Sequence, residues 1–374
     1  MVRAALVVAL VAAAFPFLVN TATAADCSRS TGFCRPATLQ VPGQFRTIQA
    51  AVDAASTGDT VAIAAGTYDG PFVVSGKRLD IVGAGVGRVV LTSSDPSVGI
   101  ATYTTGGGGE LSGVSLEGGA YGVGGGSDVR SAPSALVVRD VNVSDGYRGI
   151  YGSFSSLGLL GVVVHDTRWN GISLVSVLKL VTSFDVEVYN AGGDGMYVSN
   201  VGAGDMLISG HFHNNALAGI YVKGNNGTVH MIFVIADHNQ SGIIADGATL
   251  GIALSSLADN FQSDGPGACS GSGLAAANSF VTVSGTIFRD NCISIANGGS
   301  TVGLADDRIT LTTADPTRQE TLLAAALNGV PGNFKDNGGN VCGDNLLTPN
   351  QLVLDCTNWT NYGLQVPQPV GGLE

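Results

Sequence analysis

The sequence predicts an all-β solenoid, a chain wound into stacked coils of parallel strand, and three observations predict it. A glycine followed by an apolar residue recurs as Gly149-Ile150-Tyr151, Gly171-Ile172-Ser173, Gly195-Met196-Tyr197, Gly219-Ile220-Tyr221 and Gly242-Ile243-Ile244, at spacings of 22, 24, 24 and 23 residues. A period in this range marks a repeat whose units cannot bury a hydrophobic face alone and must stack. The segments between the glycines are β-branched and alternate with period two, as half-buried strands do. No helix-length amphipathic stretch separates them, which excludes the helical repeats.

Counting back from each glycine assigns faces. Seven residues before it stand Val164, Val188, Phe212 and Ile235, and nine before it Val162, Val186, Gly210 and Phe233, which predicts an inward set. Five before it stand Ser144, Asp166, Asn190, Asn214 and Asp237, small polar side chains suited to a hydrogen-bonded ladder from coil to coil. Open solenoid ends need caps. The spacing of Ile48, Ala51, Val52 and Ala55 predicts a helix over Thr47 to Ser56 directly before the first strand. A second helix is predicted over Arg318 to Asn328, followed by a tail with Leu352, Val353 and Leu354 as a short strand. The expected boundaries are a leader over 1–25, a cysteine-bearing segment over 26–44, the solenoid over 45–310 and a C-terminal cap and tail over 311–374.

With 45% apolar residues and 55 glycines in 374, the chain can bury a large core, which excludes disordered and collagen-like classes. A formal charge of −12 argues against nucleic acid as a partner, because little would neutralise the phosphates. Arg3, the apolar stretch Ala4 to Leu18 and Ala22-Thr23-Ala24 read as a secretory signal peptide. Pro16 breaks the apolar run short of a spanning helix. The expectation is a secreted or periplasmic monomer without stable membrane insertion. Six cysteines then suit disulfides. Proximity suggests Cys27 with Cys34, Cys269 with Cys292 and Cys342 with Cys356, among the other connectivities that six allow. The 23-residue spacing of Cys269 and Cys292 matches one coil, and coils ~4.8 Å apart lie within disulfide reach.

The run Phe45-Arg46-Thr47-Ile48-Gln49-Ala50-Ala51-Val52-Asp53-Ala54-Ala55, then Gly58-Asp59-Thr60-Val61, Ala65-Gly66-Thr67-Tyr68 and Leu79-Asp80-Ile81-Val82-Gly83-Ala84-Gly85, resembles the opening of pectin-lyase-like proteins. Pectin methylesterases and NosD-type periplasmic proteins share such an opening. The resemblance, with the Gly-Ile coils, covers about 45 to 300 and implies a right-handed parallel β-helix, often carbohydrate-active. It does not imply one activity. Asp306-Asp307 precedes Arg308-Ile309-Thr310 without the Gly-His-Gly of the polygalacturonase-like hydrolases. The methylesterase aspartates are missing, and of the Asp-Pro-His-Asp of alginate epimerases only His165-Asp166 is present. No catalytic residue is carried over.

The predicted register leaves two outward columns. Six residues before the glycine stand His165, Tyr189, His213 and Ala236, and eight before it Val163, Glu187, His211 and Val234. This places Tyr189 between His165 and His213, and Glu187 beside His211. Such a set could run the two proton transfers of β-elimination or epimerisation at a sugar acid, with His213 or His211 as base, Tyr189 as donor and Glu187 orienting an imidazole. The same imidazoles and Glu187 could instead bind a divalent transition metal, and a solvated polar face is the bland alternative. Two residues after the glycine come Tyr151, Ser173, Tyr197, Tyr221 and Ile244. These tyrosines can stack on pyranose rings, or simply reflect β-propensity. Trp169, Arg168, Arg148 and Asp194 lie in the adjoining turns as further binding candidates. The expectation is a β-helix that binds or depolymerises polysaccharide, lyase-like or otherwise carbohydrate-active, with a cation such as Ca²⁺ shielding a polyanion from the acidic surface. The rivals are a non-catalytic glycan-binding rod at a cell surface or matrix and a NosD-like maturation factor that handles metal.

Overall fold

In the computed structural model the described residues are 36–126, 135–177, 181–202, 205–225, 227–265, 268–311 and, with short gaps, 321–344 and 354–355. They form a parallel β-solenoid of about ten turns. One 11-stranded parallel sheet, here sheet C, runs the length of the solenoid. Twenty further strands form a second sheet creased along a column of left-handed residues, among them Asp140 (φ 49°), Gly161 (62°), Asp185 (54°), Leu254 (51°), Gly285 (59°) and Asp306 (56°), and Gln262–Gly265 with Ala268–Ser270 and Ala326–Leu327 with Val330–Pro331 make two antiparallel pairs apart from it. Glycine and aspartate are the residues that tolerate this region most readily. Across the crease the buried set slips by one residue: within Leu157–His165 the inward side chains are Leu157 and Leu159, then Val162 and Val164. The crease separates sheet A, before it, from sheet B, after it.

Inward columns of like side chains fill the solenoid. On sheet B, Val143, Val164, Val188, Phe212, Ala236, Leu257, Phe288 and Ile309 face one another coil by coil, all fully buried. On sheet C the column is Val123, Ile150, Ile172, Met196, Ile220, Ile243, Leu274 and Ile295. Ile235 and Phe233, expected inward, are instead 43% and 44% exposed, and Val234 and Ala236 take their places. The turn before Gly242 is one residue shorter than that before Gly219, since Asp237 and His213 are register partners, so counting back from the glycine misplaced this coil by one.

The recurring glycines sit where two backbones approach closely. A Cβ at Gly195 would lie 2.7 Å from the Gly219 carbonyl, and one at Gly219 2.8 Å from that of Gly242. Their conformation is ordinary; space alone requires them.

The corner from sheet B to sheet C carries the true polar ladder. Asp145, Asp166, Asn190, Asn214, His238, Asp259 and Asp290 adopt φ of 53° to 60° here. From the fourth of these onward, the next residue is a buried asparagine: Asn215, Asn239, Asn260 and Asn291. Each Oδ1 of the last three accepts the backbone N–H and side-chain amide of the asparagine one coil before, at 3.0 to 3.2 Å. The expected column held three of the left-handed residues, and its Ser144 and Asp237 belong instead to the neighbouring outward column. Within that column Asn190 Nδ2 donates to Asp166 Oδ1 one coil away at 3.0 Å.

The N-terminal helix spans Ile48–Ala54, with Thr47 capping it and Ile48, Ala51 and Val52 buried. Gln49 lends the edge strand Phe72–Val74 a substitute partner, accepting from and donating to the Val73 backbone. Lys77 Nζ donates to the carbonyls of Val52, Asp53 and Ala55, closing the helix C-terminus. The second expected helix, Arg318 to Asn328, is corrected: Thr321–Ala324 and Ala326–Leu327 are strands, and the first adds to sheet C with Leu323 facing Ile295. A continuous apolar run carries no period, and an open sheet edge supplies backbone partners a lone short helix lacks. Cys292 is buried and disulfide-bonded. The side chains of Cys269 and Cys342 lie outside the described residues, as do the expected leader over 1–25, Cys27, Cys34 and Cys356. Among the described residues no helix is long and apolar enough to cross a membrane.

Asn239→Ala is expected to lower unfolding stability by about 2–4 kcal/mol, because it strips partners from the buried Asn215 amide and the Phe212 carbonyl. Asn190→Gly, at an exposed left-handed position, should cost under about 1 kcal/mol, and urea titration of both variants checks the difference.

Candidate functional site

Sheets B and C each present an outward cluster, joined by the corner turns. On sheet B the register partners are Ser144, His165, Tyr189, His213 and Asp237, with Val163, Glu187, His211 and Ile235 alongside. Tyr189 lies between two imidazoles, its ring 5.0 Å from His165 and 5.1 Å from His213 with planes 6° and 15° apart. The coil spacing of ~4.8 Å imposes this stack. His211 and His213, two apart on one strand, share a face with ring centroids 4.2 Å apart.

Each imidazole has a polar partner. His165 Nδ1 lies 2.7 Å from Asp166 Oδ2, His211 Nε2 3.1 Å from Asp237 Oδ2 and His213 Nε2 3.2 Å from Glu187 Oε1. Asn214 Nδ2 reaches His213 Nδ1 at 2.7 Å. Glu187 therefore pairs with His211 along the backbone, as expected, while its carboxylate bonds the imidazole of His213. Asp237, which the sequence reading placed in the ladder, is the partner of His211; Ala236, expected outward, is buried. Burial works to raise the Asp237 carboxyl, but hydrogen bonds from His211 and His238 outweigh it and hold it below the usual range. Hydrogen bonds from His165 and Asn190 likewise lower Asp166. Desolvation and the Glu187 and Asp166 charges raise Tyr189, so its hydroxyl keeps its proton.

Sheet C carries a groove of about 620 Å³ lined by Tyr151, Ser173, Tyr197 and Tyr221 along its floor and by Arg148, Trp169 and Asp194 at the turn side. Tyr151, Ser173, Tyr197 and Tyr221 are register partners in the expected order. Ser173 interrupts the aromatic row, leaving a notch between Tyr151 and Tyr197. Arg148, the basic residue of the lining, is held over the rings of Tyr147 and Tyr151 at 4.9 and 4.7 Å. Trp169 is 42% exposed; Arg168 is exposed on the same turn and does not line the groove. Asp194 is buried, its Oδ1 accepting from Ala218 N at 3.1 Å. Burial pushes its carboxyl up to about 6. The Tyr221 hydroxyl donates to Asp246 at 3.1 Å, and desolvation with that bond pushes its pKa up to about 12.

No protein-family model matches the chain, and no curated protein matches it. Among solved structures, the periplasmic alginate epimerase AlgG is similar over 75% of this chain and 77% of its own, with TM-score 0.51 and 12% identity. The A-module of Azotobacter vinelandii mannuronan C-5 epimerase AlgE6 matches over 79% and 94%, with TM-score 0.49 and 18% identity. A mutant of the PL6 family alginate lyase AlyGC matches over 82% and 53%, with TM-score 0.47 and 12% identity. The fold is the right-handed parallel β-helix. In this β-helix both clusters are products of stacking, since each joins side chains about 24 residues apart in sequence.

Asp194 gives the groove a pH signature. Its folded pKa of about 6 lies above the unfolded value, so its contribution to stability is present below pH ~4 and is lost as pH rises through about 6. Asp194→Asn keeps an oxygen for Ala218 N and should be more stable than wild type above pH ~7, by on the order of 2 kcal/mol, with the gap closing toward pH 4. Thermal melts across this range check it.

Proposed function

We propose that the protein is carbohydrate-active and holds an acidic polysaccharide in the sheet C groove. The observation that carries this reading is the interrupted tyrosine row, with Arg148 and the raised carboxyl of Asp194 at its edge. Pyranose rings stack on tyrosine and tryptophan faces, and the Ser173 notch leaves depth for one ring between Tyr151 and Tyr197. Arg148, fixed by two aromatic rings, offers the positive charge that a uronate carboxylate needs on an acidic protein. A carboxyl titrating near 6 can exchange protons close to neutrality. On a uronate, Asp194 takes the C5 proton, and a tyrosine such as Tyr221 returns one to the departing oxygen or to the opposite face of C5. The first outcome is β-elimination and the second epimerisation. AlgG, a fold neighbour with TM-score above 0.5, is an alginate epimerase, which supports a polysaccharide as the substrate class.

The sheet B ladder is the alternative acid–base set. It lies around the corner from the groove, so a ring stacked on Tyr197 does not meet its imidazoles. Purified protein without its leader, mixed with uronate-containing and neutral glycans, tests the reading. Retention on uronate columns and unsaturated or epimerised product are expected. Arg148→Ala and Trp169→Ala should weaken retention about tenfold, equivalent to ~1.4 kcal/mol, and Asp194→Asn should stop product formation while retention persists. Product lost in His213→Ala but kept in Asp194→Asn would move the chemistry to sheet B. Retention with no product from any glycan would give the non-catalytic rod, and no retention at all would overturn the proposal.

A further inference from the structure

We propose that Glu187, His211 and His213 on sheet B form a binding site for one divalent transition-metal ion, independent of the sheet C groove. One ligand atom from each lies within 4.8 Å of the others. In a tetrahedral site with bonds of about 2.0–2.2 Å, ligand atoms stand roughly 3.3–3.5 Å apart. Glu187 Oε1 and His213 Nε2, at 3.2 Å, already lie close to that separation. The remaining closure falls on χ rotations of Glu187 and His211, the more exposed of the three side chains.

The surroundings supply what metal-bound imidazoles require, a partner that orients the ring through its second nitrogen. His211 gives Nε2 to Asp237 Oδ2 at 3.1 Å, which leaves Nδ1 for an ion, and His238 Nδ1 in turn approaches Asp237 Oδ1 at 3.1 Å. His213 has Asn214 at its Nδ1, leaving Nε2 beside Glu187. With Nε2 on a metal, Nδ1 carries the proton, and a turn of the Asn214 amide presents Oδ1 to accept it. The Tyr189 ring stacked on His213 restricts that imidazole before any ion arrives.

Two imidazoles and one carboxylate favour Zn²⁺, Cu²⁺ or Ni²⁺ over the all-oxygen preference of Ca²⁺ and Mg²⁺. Three protein ligands leave a fourth position, and the half-exposed Glu187 and His211, at 45% and 37% of their side-chain surface, leave it open to solvent. Such a site binds an exchangeable ligand such as water at the metal.

The test is Zn²⁺ titration of the chelator-treated protein by calorimetry at pH 7.5, with Co²⁺ absorption reporting geometry. One Zn²⁺ per chain and a tetrahedral Co²⁺ spectrum are expected. His211→Ala and His213→Ala should each weaken Zn²⁺ binding at least ~100-fold, and Asp237→Asn by about 10–100-fold through lost orientation. His230→Ala, on sheet A, should change nothing. Circular dichroism of every variant separates lost binding from lost fold, and glycan retention in the groove should be unchanged with and without Zn²⁺. No uptake by the wild-type protein would overturn the proposal. So would uptake that survives in a folded His211→Ala/His213→Ala double variant, or a Co²⁺ spectrum unaffected by Glu187→Gln.

Discussion

Everything in this molecule depends on one constraint, the requirement that each coil hydrogen-bond to the next in parallel register at about 4.8 Å. That spacing is too short for unlike side chains to pack freely, so like stacks on like. Aliphatic columns fill the interior, asparagines fill the corner and aromatic rings line up outside. A buried asparagine costs free energy unless its amide and carbonyl are both satisfied. In the corner ladder each of the central asparagines meets this condition only because its neighbours repeat it. The ladder is thus both a consequence of the register and a device that holds it, since a slip by one residue would bury unpaired amides and turn every core side chain outward.

The same constraint builds the two surface clusters. His165, Tyr189 and His213 are parallel because their backbones are, and they needed no separate scaffold to bring them together. The groove on sheet C arises differently. A column of tyrosines alone would present a flat wall, and concavity comes from a small residue at one coil, Ser173, with corner side chains rising beside it. Flatness and concavity separate the roles proposed for the two faces. A ring of a polymer needs walls on more than one side, whereas an ion needs only three donors within a few ångströms.

Most of the strand register was legible in the sequence because the repeating glycine is a steric marker: no Cβ fits beside the next coil's carbonyl, so the residue recurs wherever the coils touch. Measured from it, the sheet C column and three coils of sheet B came out correctly. The fourth coil did not, because the corner turn varies by one residue, which hid Asp237 behind His238. The asparagine ladder was missed for the same reason. Its signal is a local pair, a left-handed residue followed by asparagine at Asn214-Asn215, His238-Asn239, Asp259-Asn260 and Asp290-Asn291, which does not keep a constant distance from the glycines. Leucine and alanine favour helix locally over Arg318 to Asn328, but at Thr321–Ala324 an open sheet edge outweighs that preference. Side-chain pairing was the least legible layer: the backbone register puts Glu187 opposite His211, yet the longer reach of the glutamate carries its carboxylate to His213.

The sugar is proposed to lie on sheet C and not over the imidazoles. Crystallographic density for a bound uronate oligosaccharide tests it most directly. A ring seated over Ser173 between Tyr151 and Tyr197, with its carboxylate toward Arg148, is expected. A sugar lying along His165, Tyr189 and His213, with sheet C bare, would contradict it.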